Sequence, residues 1–189
     1  IVLSGNLYGE IPSKILNIGE TQAEEALLWW KSQFEDDFYL EVMRHQQADE
    51  NHVNNILQEF SKKYNIKLIA TNNTYYINEK DAETHDILLC VKDGEKASTP
   101  IGRGRGFRYG LSNNEYYFKS QEQMKSLFAD LPEAILNIQE IIDKIEIYTL
   151  QRDVLLPKFS IPEAFINPLD ENDNEKRGEN NYLKHLTYK

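Results

Sequence analysis

The sequence predicts an α/β fold with a mostly parallel sheet, on three observations. An apolar run from Phe38 to Met43 is followed by an amphipathic stretch, Asp49 to Tyr64, and then by a second apolar run ending at Thr71. Strand, helix and strand at this spacing make a βα unit. The run Lys67 to Thr71 opens into Asn72-Asn-Thr-Tyr-Tyr76, a polar and aromatic mouth at the carboxyl end of a central strand, where α/β folds place their chemistry. That mouth offers amides and phenols where an active metal site requires carboxylates and imidazoles.

The 189 residues suffice for one substantial core. A formal charge of -10, from 21 Lys and Arg against 31 Asp and Glu, argues against autonomous binding of a nucleic-acid polyanion. Cys90 is the only cysteine, so no internal disulfide framework exists and a reducing, cytoplasmic setting is expected. No apolar run reaches membrane-spanning length, and no membrane partner is expected. The chain opens on Ile1-Val-Leu-Ser-Gly5 without Met and closes on Asn181-Tyr-Leu-Lys-His-Leu-Thr-Tyr-Lys189, which reads as an abruptly stopped helix. Both ends suggest a piece of a longer protein.

Taken in order, Ile1 to Leu3 reads as a short strand and Ser4 to Glu10 as a polar loop whose two glycines suit tight turns. Asn6 and Glu10 are candidates for a site at a strand end, although an asparagine there more often satisfies turn amides. Gly19 to Gln33 reads as a helix with a Thr21/Glu24 capping box and a buried face of Ala23, Ala26, Leu27 and Trp30. Of the two adjacent indoles, one is expected nearer the surface. After the turn at 34–37, the strand Phe38 to Met43 leads to Arg44 and His45. Glu41, Arg44 and His45 are candidates for lining the same mouth, with a surface ion pair or a structural hydrogen bond the plainer expectation. In the helix Asp49 to Tyr64, Val53, Ile56, Leu57, Phe60 and Tyr64 form the apolar face. Asn65 ends it in a left-handed position.

Asn78 caps a helix carrying Asp81, His85 and Leu88, and running to Cys90. Asp81 and His85 lie four apart and share a face, but two candidate ligands do not define a metal site. Cys90 reads as a buried small hydrophobe. Gly102-Arg-Gly-Arg-Gly-Phe-Arg-Tyr-Gly110 has neither the ending of a P-loop nor the setting of a dinucleotide fingerprint. Arg103, Arg105 and Arg108 are candidates for phosphate or for a neighbouring domain, with Phe107 and Tyr109 available for stacking. Glu115 to Lys119 reads as a short strand. Ser120 and Gln123, then Asp130 and Glu133 with Pro132 in the first turn, read as two capping boxes. Ala134, Ile135, Ile138, Ile141, Ile142 and Ile145 follow as a buried helical face. Val154 to Phe165, with Pro157 and Pro162, reads as an extended arm. Asn167 to Asn181 reads as an acidic, mobile stretch.

The landmarks Leu3-Ser-Gly-Asn-Leu-Tyr-Gly-Glu-Ile11, Phe38-Tyr-Leu-Glu41, Ile69-Ala-Thr-Asn-Asn73, His85-Asp-Ile-Leu-Leu-Cys-Val91, Leu127-Phe-Ala-Asp-Leu-Pro-Glu-Ala134 and Leu156-Pro-Lys-Phe159 stand in an order and spacing that carry a resemblance. The chain resembles the second half of the polymerase-and-histidinol-phosphatase domain of bacterial replicative DNA polymerase III alpha subunits. The resemblance implies an incomplete portion of a distorted seven-stranded β/α barrel over 1–150. It implies a linker over 151–189 leading toward a palm domain. Its metal-cluster positions, a cysteine and an aspartate–histidine pair, fall on Asn6, Asn73 and Tyr75. All three depart from the pattern: amides and a neutral phenol do not supply the charge of a hydroxide-generating cluster. The resemblance thus implies no metal and no catalytic residue in this chain, with Asp153 and Asp170 not recruited for the palm. It implies a DNA-directed DNA polymerase parent using Mg in its palm. Other polymerase domains and subunits, primed DNA and a proofreading subunit follow as the implied partners. The rival reading is a metal-dependent 3′-5′ exonuclease or phosphoesterase, which would need the missing cysteine, aspartate and histidine.

Overall fold

The structure, a computed structural model, describes residues 1–151, 160–169 and 178–188. These fall into two compact units, Ile1–Glu146 and Ile147–Lys189.

The first unit is α/β. Its strands β1 (Val2–Leu3), β2 (Phe38–Val42) and β3 (Leu68–Ala70) are parallel and lie in the order β1-β2-β3. Val2 stands opposite Phe38, and Leu40 opposite Leu68. The sheet is open: among the described residues three strands form, and no barrel closes. β2 is central, and Phe38, Tyr39, Leu40 and Val42 are all buried, so it reads as a continuous apolar run rather than an alternating one. Its one charged residue, Glu41, accepts a hydrogen bond from the Thr71 hydroxyl at 2.6 Å.

Helices α1 (Glu10–Asn17), α2 (Glu20–Phe34) and α3 (Ala48–Tyr64) pack Ile11, Ile15, Ala23, Leu27, Val53, Leu57 and Phe60 into the core around these strands. Helix α1 replaces the end of the expected loop: Glu10 is its first residue, not a loop residue. The Thr21/Glu24 box does not form. Glu24 instead accepts from Lys63 at 2.5 Å and from the Tyr64 hydroxyl. Trp29 is exposed, while Trp30 is half-buried and donates to Glu10 at 2.8 Å. Asn65 closes α3 at φ 52°, ψ 52°.

Helix α4 (Ala82–Asp93) is entered through the reciprocal Asn78/Asp81 box and places Cys90 in the interior. Residues 115–119 form a single parallel bridge, Tyr76 to Tyr117, rather than a strand. Helix α5 (Gln121–Leu127) has the expected Ser120/Gln123 box. Helix α6 (Pro132–Lys144) starts with Pro132 in its first turn but without an Asp130 cap, because Asp130 is taken by Arg44. Its isoleucine face is only partly covered: Ala134 is buried, Ile135, Ile138 and Ile141 are half-buried, and Ile142 and Ile145 are exposed.

In the second unit, a 3-10 turn, Glu163–Phe165, precedes helix α7 (Glu179–Thr187). Phe165 meets the ring of Tyr182 edge-on at 5.0 Å, and its carbonyl accepts from Asn181. Of the expected arm and acidic stretch, residues 152–159 and 170–177, with Asp153 and Asp170, lie outside the described residues.

Candidate functional site

The carboxyl ends of the three strands converge on one small cavity of about 160 Å³. Asn6 reaches it from the loop after β1, Met43 from the end of β2, and Asn73 and Tyr75 from the segment after β3. Tyr109 and Tyr116 complete the wall. The loop after β1 is shaped by two glycines. Gly5 sits at φ 80°, a region side chains avoid. A Cβ on Gly9 would come within 2.2 Å of the Ser4 carbonyl oxygen. This tight path lets the Asn6 side chain accept from the Tyr8 amide at 3.0 Å.

Behind the cavity, His45 is fully buried and held on every polar side. Its backbone N–H donates to one Glu50 oxygen at 2.5 Å, and its ring Nδ1 meets the other at 2.7 Å. The Asn73 N–H donates to Nε2 at 3.2 Å, which fixes the proton on Nδ1. The ring lies flat against Tyr116, with centroids 4.5 Å apart. Glu50 thus serves His45 with both oxygens and is not free as a metal ligand. The Asn73 amide stands 3.4 Å from the Tyr75 hydroxyl. Burial pushes the Tyr109 and Tyr116 phenols above their ordinary pKa, which keeps them protonated near neutrality.

The donor set does not fit a multi-metal cluster. Asn6, Asn73 and Tyr75 share the cavity, but none supplies an anionic oxygen or an imidazole. Among the described residues no group of three or more His, Cys, Asp or Glu is placed to hold a metal ion.

The other candidates disperse. Glu10 holds Lys14 at 2.9 Å and the Trp30 indole; Lys14 and then Trp30 keep its carboxyl below the usual range. Glu41 holds Thr71. Neither joins Asn6 and Asn73 in a hydrogen-bonded network. Arg44 departs from the mouth altogether: it forks onto Asp130 at 2.6 and 2.8 Å, reaches the Leu127 carbonyl and lies over the Phe128 ring. His85 packs against the rings of Tyr75 and Tyr76 at 5.7 and 5.4 Å, while Asp81 turns back to Asn78 at 2.9 Å, so the two form no ligand pair. Arg108 departs from the phosphate expectation. It is buried, forks onto Asp86 at 2.6 and 2.7 Å and donates to the Thr99 carbonyl. Its hydrogen bonds first, and its charge after them, hold the Asp86 carboxyl below the usual range. Arg103 and Arg105 stay exposed, and Arg103 reaches the Tyr8 hydroxyl at 3.3 Å.

Sequence reasoning missed Glu50, Gln47 and Tyr116. Glu50 was within reach of inspection, since it lies in the first turn of α3 five residues after His45. Tyr116 carries no local signal, because only the fold brings it to Gln47, 69 positions away.

The fold and this cavity define an open α/β unit with a polar, aromatic strand-end pocket poor in metal ligands. No protein-family model matches the chain. The chain is 42% identical over 139 residues to the DNA polymerase III subunit alpha of Campylobacter jejuni, covering 74% of this chain and 11% of that relative. It is 37% identical over 188 residues to that of Borreliella burgdorferi, covering 99% and 15%. It is 33% identical over 197 residues to that of Thermus aquaticus, covering 100% and 14%. The chain belongs to the DNA polymerase III subunit alpha family and corresponds to a segment of it, spanning 11% to 15% of the length of these relatives.

Proposed function

We propose that this chain is a non-catalytic structural segment of a replicative DNA polymerase, the second half of a polymerase-and-histidinol-phosphatase domain whose hydrolytic site has degenerated. The observation that carries the reading is the composition of the strand-end cavity, where Asn6, Asn73 and Tyr75 occupy the walls and Glu50 is committed to His45. A site that generates hydroxide from bound water needs concentrated negative charge to hold its cations, and this one lacks it. In the parent, nucleotide addition belongs to a separate palm with Mg-binding carboxylates. The segment serves other domains and subunits, a proofreading subunit among them, and primed DNA is the parent's substrate. The same reading places it in the cytoplasm.

The test has two parts. The 189-residue chain, freed of contaminating polymerase, is offered a primed template with Mg²⁺, and no extension is expected. Metal content and DNA hydrolysis are then measured with Mn²⁺ and Zn²⁺, on this chain and on a longer protein that includes the preceding residues of a natural relative. Stoichiometric metal together with hydrolysis lost on Asn73→Ala sinks the proposal and returns the site to the exonuclease class.

A further inference from the structure

We propose that the strand-end cavity binds one unpaired nucleotide, with the base inside and the phosphate at the rim beside Arg103. The proposal rests on the metal-poor reading of the pocket and adds a ligand to it.

Three features converge. The cavity, at about 160 Å³, has room for one planar heterocycle and not for the drug-sized ligands of larger clefts. Its walls are aromatic: Tyr75, Tyr109 and Tyr116 border it, with Tyr8 at the mouth. Tyr116 already stacks on His45 and meets Tyr75 edge-on at 5.8 Å. Tyr75 is 45% exposed, so ring surface remains for a guest. Every base has a π-face, and base–aromatic stacking is the sequence-tolerant part of single-strand recognition.

The polar groups suit a base edge better than an ion. Asn6, Asn73 and Gln47 all reach the cavity. Asn6 Oδ1 is taken by the Tyr8 amide, Asn73 Nδ2 stands near the Tyr75 hydroxyl, and Gln47 Nε2 donates to the Tyr116 hydroxyl. The opposite end of each amide, Asn6 Nδ2, Asn73 Oδ1 and Gln47 Oε1, has no partner among the described residues. One donor and two acceptors match a neutral edge that carries an amino group beside a ring nitrogen. Glu50, the one carboxylate in the wall, has both oxygens turned onto His45, so neither is offered to the guest.

Charge limits the ligand to few phosphates. At -10 the chain disfavours a long polyanion. Arg103 and Arg105 are exposed, and Arg103 touches Tyr8 at the mouth. That suffices for one phosphate, so binding should fall with salt at a slope near one phosphate contact.

The experiment is an NMR titration of the 15N-labelled 189-residue chain with EDTA present, so that hydrolysis with added metal bears only on the metal-poor reading. The probes are deoxyadenosine 5′-monophosphate, inorganic phosphate and a short single-stranded oligodeoxyadenylate. Saturable shifts at Asn73, Tyr75 and Tyr116 are expected with the mononucleotide. Tyr75→Ala and Asn73→Leu should each weaken binding about tenfold, while Tyr75→Phe, which keeps the ring, should bind within about twofold of the parent. Tighter binding of the oligonucleotide identifies a strand as the source of the nucleotide. Equal or weaker binding of it identifies a free nucleotide, and both outcomes support the site. The proposal fails if phosphate alone reproduces the shifts or if no saturable shift appears at these residues. It fails equally if folded Tyr75→Ala and Asn73→Leu bind like the parent.

Discussion

Both oxygens of Glu50 are spent on one residue, the buried His45. The ring then presents Nε2 to the Asn73 amide, so a carboxylate on α3 orients the segment that follows β3. Removing it strands a backbone N–H and a ring N–H away from water, and each unpaired buried donor costs about 1–3 kcal/mol. Glu50→Ala should therefore destabilise by about 2–4 kcal/mol, read as a fall in the urea midpoint at unchanged slope. Glu50→Gln keeps an acceptor and should cost about half as much. A loss below about 0.5 kcal/mol for the alanine variant would show that the pair is not structural. Gly9 makes the complementary point about space. An added methyl meets the Ser4 carbonyl oxygen at 2.2 Å, so Gly9→Ala should cost about 1–3 kcal/mol and shift the Asn6 and Tyr8 amide resonances. Unmoved resonances would show that the loop absorbs the methyl without changing the cavity wall.

Element ends and faces show where local sequence is decisive and where it is not. Asn65 terminates α3 in the left-handed region, so Asn65→Ala should cost about 1 kcal/mol and Asn65→Gly should be close to neutral; equal thermal midpoints for the two variants would contradict this. Helix α6 is pinned through Glu140, which accepts from Tyr39 at 2.8 Å and from Lys67. Lys67 first, and then Tyr39, hold its carboxyl at about 2, down from an ordinary 4.5. A depressed acid stabilises fully above its unfolded pKa and loses that contribution as pH falls through the folded one. The unfolding midpoint should therefore drop as pH goes from about 4.5 toward 2, the drop should shrink in high salt, and Glu140→Gln should flatten this part of the profile. An unchanged profile for that variant would remove Glu140 from the account. Strands β2 and β3, helix α3 and the Ser120 cap were legible because period, run length and cap lie within a few residues. Helix α1 was not, since its N-cap is Gly9 without a side-chain acceptor. The Thr21 and Asp130 boxes failed for a common reason: Glu24 and Asp130 are claimed by Lys63 and Arg44 from distant segments. Asn6 and the Asn72–Tyr76 mouth were legible as polar strand ends and the resemblance joined Asn6, Asn73 and Tyr75 into one site, whereas Tyr116 and the Arg108–Asp86 pair depend on closures that no local pattern encodes. Periodicity marked an apolar face on α6, but it carries no information on which part of that face a neighbour covers.

Across the whole first unit, the three-stranded order leaves β1 and β3 as edges. Ile1 and Leu3 are 50% and 38% exposed, and a bare apolar edge strand is a template for further pairing. Concentration-dependent association in sedimentation velocity is expected, and Leu3→Lys should suppress it; a monomer at all concentrations would contradict this. The other edge is guarded differently. Asn137 on α6 donates to the Leu68 carbonyl at 2.9 Å, and Glu140 reaches back to Lys67, 73 positions earlier. A ribosome adds roughly 5–20 residues per second, so β3 leaves it roughly 4–15 s before its guard does. During those seconds Leu68 to Ala70 stand with one ladder side open, and a nascent-chain chaperone has its clearest opportunity to bind there.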